Sequence, residues 1–209
     1  MRFAYGSDAP VFSDLSFSAS SGELTVLEGY SGSGKSTLLN VLSGVRRATG
    51  TVRILGSGLS SRSSERAALR LQHFGFVFQR GELLPEFTVL ENVSLPLRLL
   101  GTRRKDAEAA SMQALEKLGI ARCAQRLPSN VSGGQAQRAS LARALIHKPP
   151  IIFADEPTSS LDPENRRIVT DSLVQAAALG ACVVVATHDE ELRRSSQHRF
   201  DVSREEFIE

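Results

Sequence analysis

The stretch Gly29-Tyr30-Ser31-Gly32-Ser33-Gly34-Lys35-Ser36 decides the fold. Before it, Glu23 to Glu28 alternates apolar and polar residues and then meets glycine, the pattern of a strand. After it, Lys35 to Leu42 carries Leu38, Leu39, Val41 and Leu42 at helical spacing. A turn of the form G-x-x-x-x-G-K-[ST] between a strand and a helix is built to wrap phosphate oxygens. Glycines let backbone N–H groups curl around the anion with no Cβ in the way. The helix N-terminus adds its positive dipole end. In such a loop Lys35 reaches the β- and γ-phosphates and the Ser36 hydroxyl ligates Mg²⁺.

Reading outward, Thr51 to Leu55 predicts a second strand closed by Gly56, and Ser57 to Ser64 a mobile surface loop rich in serine and glycine. Phe74 to Phe78 predicts a strand whose alternating aromatics pack in a core. From Thr88 to about Leu118 the pattern is helical, with breaks expected at Pro96 and Gly101. Ser129 to Gly134 is a polar loop that opens a helix running to His147, where Pro149-Pro150 stops it. Ile151 to Ala154 and Cys182 to Thr187 are continuous apolar runs of the kind buried on both faces of a sheet. Between them, Pro163 to Leu179 is a helix with proline in its first turn. Strands alternating with helices imply an α/β fold with a largely parallel sheet. The helices-only stretch predicts a helical subdomain over 79–150 inserted between core segments 1–78 and 151–209 of one domain.

Composition narrows the function. Lys plus Arg number 25 against 23 Asp plus Glu, and a net charge of +2 gives no general case for nucleic-acid binding. The basic groups Arg46-Arg47, Arg103-Arg104-Lys105 and Arg193-Arg194 are expected as solvated surface, with contact to acidic lipid or a partner as the alternative. The apolar runs fall far short of the roughly 20 residues that cross a bilayer. The N-terminus lacks the apolar centre of a signal peptide. Cys123 and Cys182 show no metal-ligand spacing, which predicts reduced thiols, no zinc site and a cytoplasmic location.

Two further segments bear chemistry. Asp155 and Glu156 emerge at the C-terminal end of the Ile151 strand, the end of a parallel sheet where ligands bind. There Asp155 would hold Mg²⁺ through water, and Glu156 would orient or deprotonate an attacking water. Ser132-Gly133-Gly134-Gln135 opens a helix and reads either as a second anion cradle or as a capped helix start. His188 follows an apolar strand at the same end of the sheet; His73, His147 and His198 have no motif around them and read as surface or cap residues.

Taken in order, these segments resemble the nucleotide-binding domain of ATP-binding cassette (ABC) ATPases over nearly the whole chain. The phosphate loop is Gly29 to Ser36, and Gln79 after Phe76-Val77-Phe78 matches the Q-loop. Val131-Ser132-Gly133-Gly134-Gln135 matches the signature motif, with valine where the family usually has leucine. Asp155-Glu156-Pro157-Thr158, Ser160-Leu161-Asp162 and Thr187-His188-Asp189 match the Walker B end, the D-loop and the switch histidine. Tyr5 sits where the family has an adenine-stacking aromatic. The segment Leu83 to Leu97 is similar to ATPases of lipoprotein-releasing, macrolide-exporting and cell-division-linked transporters.

The resemblance implies a P-loop NTPase core with an N-terminal antiparallel β part. It implies two chains packed head to tail, each ATP held between the phosphate loop of one and Ser132-Gly133-Gly134 of the other, with Gln135 alongside. Tyr5 would stack on adenine, while Gly29, Ser31, Gly32, Ser33, Gly34, Lys35, Ser36 and Thr37 would hold phosphates. Ser36, Gln79 and Asp155 would serve Mg²⁺. Glu156 would be the general base, His188 would contact the γ-phosphate, and Asp162 would lie across the dimer interface. The implied partners are a second ATPase chain and an integral membrane permease that meets the helical subdomain, with no nucleic acid, on the inner face of the cell membrane. A soluble ABC-type ATPase of DNA repair or chromosome maintenance is the alternative. Such proteins insert a long coiled coil, and the 52 positions from Gln79 to Val131 show no sustained heptads. A single set of motifs excludes a twin cassette, and Ser-Gly-Gly-Gln argues against a P-loop kinase or GTPase.

Overall fold

A computed structural model describes residues 1–6, 9–78, 82–159 and 161–208. Its main sheet is made from β1 (Leu24–Glu28), β4 (Phe74–Val77), β5 (Ile151–Asp155), β6 (Cys182–Ala186), β7 (His198–Asp201) and β8 (Glu206–Ile208). The strand order is β4-β5-β6-β1-β7-β8. All neighbours run parallel except β8, which closes one edge antiparallel to β7. The continuous apolar runs are explained by this position. Successive residues of a strand face opposite ways, and both faces are covered. Ile151, Phe153, Val184 and Ala186 join a core cluster with Leu38 and Leu39 of α1 (Lys35–Leu42). Ile152, Ala154, Val183 and Val185 join another with Leu141 of α5 (Gly133–Leu145), Leu173 of α6 (Pro163–Ala178) and Leu192 of α7 (Glu190–Ser195).

A third core cluster lies among helices. Val89, Leu90 and Val93 of α3 (Val89–Leu99) pack with Leu115 of α4 (Arg104–Lys117) and with Ala139 and Ala142 of α5. Thr88 caps α3, its hydroxyl accepting from Glu91 N while the Glu91 carboxylate accepts from Thr88 N. Asn92, fully buried, uses its amide to donate to the Leu84, Phe87 and Thr88 carbonyls and so ties the incoming chain to the helix.

Several expectations are corrected. The strand read over Thr51–Leu55 shrinks to β2 (Arg53–Ile54), which turns through Leu55-Gly56 into β3 (Ser57–Gly58). That hairpin and the bridges Arg2–Thr49 and Phe3–Phe12 are the antiparallel β part. The expected loop over Ser57–Ser64 therefore begins as a strand and runs into α2 (Ser63–His73), a helix the sequence pattern conceals because none of its residues is buried. Pro96 lies inside α3 instead of breaking it, and the capped first turn and the buried face hold the helix together. Nothing in the pattern announced α7, β7 or β8. Arg193 is no free surface charge: its guanidinium donates twice to Glu28, at 2.9 Å each, and fastens α7 to the end of β1. His147 is half-buried with both ring nitrogens out of solvent, and burial, opposed by the Phe74 backbone, pushes its imidazole pKa down. Cys123 and Cys182 are free thiols; burial, aided by Glu23, pushes Cys182 up to about 11. Among the described residues no helix is long and apolar enough to cross a membrane.

Candidate nucleotide site

The phosphate loop links β1 to α1, and its glycines are required by space. Gly34 opens α1 at φ +99°, where a Cβ would lie 2.5 Å from Val11 Cγ1. At Gly29, φ +134°, a Cβ would lie 2.5 Å from Ser33 Oγ. Lys35 is 8% exposed and folds back over the loop, donating from Nζ to Gly29 O at 2.8 Å and Tyr30 O at 3.1 Å.

The register β5–β6 carries Asp155 opposite Ala186 and so sets the next residues beside the strand that leads to His188. Glu156 has φ +44°, a left-handed conformation that costs a non-glycine residue about 1–3 kcal/mol. Its N–H donates to Ala186 O at 2.8 Å, which holds the turn in place. Its carboxylate lies 3.7 Å from His188 Nε2 and 3.5 Å from Thr187 Oγ1. His188 Nε2 in turn lies 3.3 Å from Lys35 Nζ. Burial raises the Asp155 carboxyl above its ordinary range, opposed by the Ser36 hydroxyl and the charge of Lys35. Tyr5, 42% exposed, shares a hydrogen bond with Thr37 Oγ1 at 3.0 Å and stands edge-on to Phe3.

These residues come together. A cleft of about 680 Å³ is lined by Tyr5, Ser31, Gly32, Gly34, Lys35, Ser36, Thr37, Asp155, Glu156 and His188, with Val11. Gly29 and Ser33 do not line it; Ser33 Oγ is buried without a partner. Gln79 and Ser160 lie outside the described residues. Ser36 and Asp155 supply two hard oxygens side by side. That suits Mg²⁺, which takes few protein ligands and completes its shell with water and phosphate oxygens. Among the described residues no group of three His, Cys, Asp or Glu could hold a metal alone.

Ser132 to Gln135 and Asp162 lie apart from this cleft and close to each other. Ser132 caps α5 in a reciprocal box with Gln135. Asp162 caps α6, accepting from Asn165 N at 2.9 Å. A Cβ on Gly134 would lie 2.8 Å from Asn165 Nδ2, so the starts of α5 and α6 meet there. Both readings of Ser132 are compatible, since the cap uses the side chain and leaves this helix start exposed.

Sequence reasoning missed Gln137, 2% exposed, whose amide nitrogen donates to Phe78 O at 3.0 Å and Pro157 O at 2.9 Å. A glutamine among the small apolar residues Ala136, Ala139 and Ala142 of a buried helix is the signal that could have found it. It also missed Thr187, whose hydroxyl accepts from Asp189 N at 3.0 Å while facing Glu156.

Comparison with known proteins agrees with this geometry. A family model described as ABC transporter matches residues 12–159. The chain is 41% identical over 198 residues to the ABC transporter ATP-binding protein YtrE of Bacillus subtilis, covering 93% of this chain and 86% of the relative. It is 38% identical to the lipoprotein-releasing system ATP-binding protein LolD of Alcanivorax borkumensis, covering 92% and 86%. It is 40% identical to the macrolide export ATP-binding/permease protein MacB of Burkholderia pseudomallei, where it spans 97% of this chain but only 31% of the relative. A solved dimeric post-hydrolysis state of the ATP-binding cassette MJ0796, bound to ADP and Pi, superposes with a TM-score of 0.89 at 31% identity, over 97% of this chain and 91% of that one. The chain belongs to the ABC transporter family, and within it to the ATPase cassettes.

Proposed function

We propose that two copies of this chain clamp two Mg·ATP between them and that hydrolysis drives a membrane permease of the exporter or lipoprotein-releasing kind. The observation that carries this reading is the separation of the two half-sites. One chain gathers its phosphate loop, Asp155, Glu156 and His188 in one cleft, yet keeps Ser132–Gly134 and Asp162 off that cleft. A second chain in head-to-tail contact supplies them. The dimeric MJ0796 cassette and the names of the MacB and LolD relatives support the same reading.

In this mechanism Tyr5 stacks on adenine, and the loop N–H groups with Lys35 bind the phosphates. Lys35 exchanges the Gly29 and Tyr30 carbonyls for phosphate oxygens. Ser36 and Asp155, with Gln79, would hold Mg²⁺, which when bound would offset the phosphate charge. Glu156 takes the proton of the attacking water, while Thr187 and His188 hold its carboxylate in place. Asp162 and Ser132–Gln135 act on the nucleotide of the opposite copy.

The segment 79–150 serves as the helical subdomain that meets the permease. A groove of about 370 Å³ between β4 and α3, lined by Phe74, Phe76, Phe78, Leu84, Leu95 and Pro96 among others, offers a seat for it. The chain then lies peripherally on the inner face of the membrane.

Glu156→Gln tests the proposal. Loss of a general base lowers rates by about 10²–10⁴-fold, so turnover should fall by that much while ATP binding persists. Light scattering should then show a doubled mass with ATP and the ordinary mass without it. A mass that stays single under saturating ATP would overturn the paired arrangement.

A further inference from the structure

Arginines crowd the C-terminal end of α1. Arg66 Nε and Arg70 Nη1, both from α2, donate to the same Gly44 carbonyl at 3.0 and 3.2 Å. Arg66 Nη1 also donates to Ser60 O at 2.9 Å and Ser61 O at 2.7 Å. All the acceptors are neutral. Burial, and then the like charge of Arg66, hold Arg70 below the usual arginine range. A helix C-terminus attracts cations with only about half an elementary charge, so two guanidiniums exceed what it balances.

Arg46 and Arg47 follow α1 and are exposed. With Arg66 they line a cleft of about 240 Å³ whose wall also includes Thr51, Ser60 and Ser61. No carboxylate lines it. The nearby Glu65 is already engaged, accepting from Ser60 Oγ at 2.6 Å and from Arg62 at 2.9 Å. Among the described residues the Arg46 guanidinium has one partner, the Tyr5 ring at 5.7 Å, and the Arg47 guanidinium has no hydrogen bond or ion pair. The cleft thus offers the guanidinium forks of Arg46 and Arg47, the Nη2 of Arg66 left over from its three carbonyl bonds, and the Thr51 and Ser61 hydroxyls, with no carboxylate in its wall.

We infer that this cleft is a second anion site, separate from the nucleotide cleft, which takes the phosphate group of a ligand. Guanidinium forks match phosphate oxygens in pairs. Arg66, fixed by three carbonyls, forms the rigid wall, while Arg46 and Arg47 close on the ligand. The volume admits a phosphate or a diphosphate. Two sources carry that chemistry: a free phosphoryl compound and the headgroup of an anionic lipid.

The test uses the whole chain with its nucleotide cleft saturated with ADP. Inorganic pyrophosphate, titrated by calorimetry, should bind once, and Arg47→Glu should weaken it at least tenfold while leaving ADP affinity unchanged. Co-sedimentation with phosphatidylcholine vesicles, with and without phosphatidylglycerol, identifies the source. Binding that requires phosphatidylglycerol and is lost in Arg47→Glu supports a headgroup ligand; pyrophosphate binding without vesicle binding supports a free one. Equal affinities in both proteins, or binding of neither probe, overturn the site.

Discussion

The phosphate-loop region and the Ser132 region hold their polar groups in opposite ways. In the first, groups far apart in the chain meet: Lys35 reaches His188 as well as its own loop's Gly29 and Tyr30 carbonyls, Tyr5 reaches Thr37, and Glu156 faces Thr187. In the second, Ser132 and Gln135 satisfy only each other, on an exposed helix start. A region bonded across the fold is preorganised to bind on its own. A locally capped one is stable without a ligand and ready for a surface brought to it.

That contrast breaks hardest at Lys35. Truncating one partner of a desolvated charge interaction costs about 2–5 kcal/mol, so Lys35→Ala should lose that much ATP affinity by calorimetry. Ser132→Arg should leave the single chain's ATP affinity intact and abolish ATP-dependent pairing in light scattering. A matching loss of affinity in Ser132→Arg would show that the two regions are not independent.

Asp155 sharpens the comparison at intermediate size. Burial raises its carboxyl in the folded chain, so the folded state keeps that proton to higher pH than the unfolded state. Stability is then lost as pH rises through the folded value. At neutral pH Asp155→Asn should raise the melting temperature of the nucleotide-free chain while removing Mg²⁺-dependent hydrolysis. An unchanged melting temperature in calorimetry would mean that the carboxylate is already well solvated.

The smallest effect lies outside both regions, at His147. Burial lowers its imidazole from 6.5, so the unfolded chain takes up the proton first. Stability falls as pH drops from the ordinary histidine range towards the lower folded value. Urea unfolding of His147→Phe between pH 7 and pH 5 should show a flatter slope than the parent chain; identical slopes would reject the assignment.

Much of this was legible in the chain. β5 and β6 are readable because strands buried on both faces need unbroken apolar runs, and α1 because glycine and lysine mark its start. α2 is illegible because it buries no residue, so it has no apolar stripe to betray it. α7 and the final strands rest on long-range fastening, such as Arg193 to Glu28, which no local pattern contains. The residues of the cleft could be named from motifs, but their mutual arrangement could not. The left-handed turn at Glu156 depends on β6 lying alongside, and the approach of Gly134 to Asn165 depends on how two helices cross.

The single amide nitrogen of Gln137 joins three segments, since its two hydrogens go to the peptide oxygens at the ends of β4 and β5. Leaving a buried donor unsatisfied costs about 1–3 kcal/mol. A tilt of α5 that parts either bond would therefore carry that cost, which ties the orientation of the helix to the positions of both strand tips.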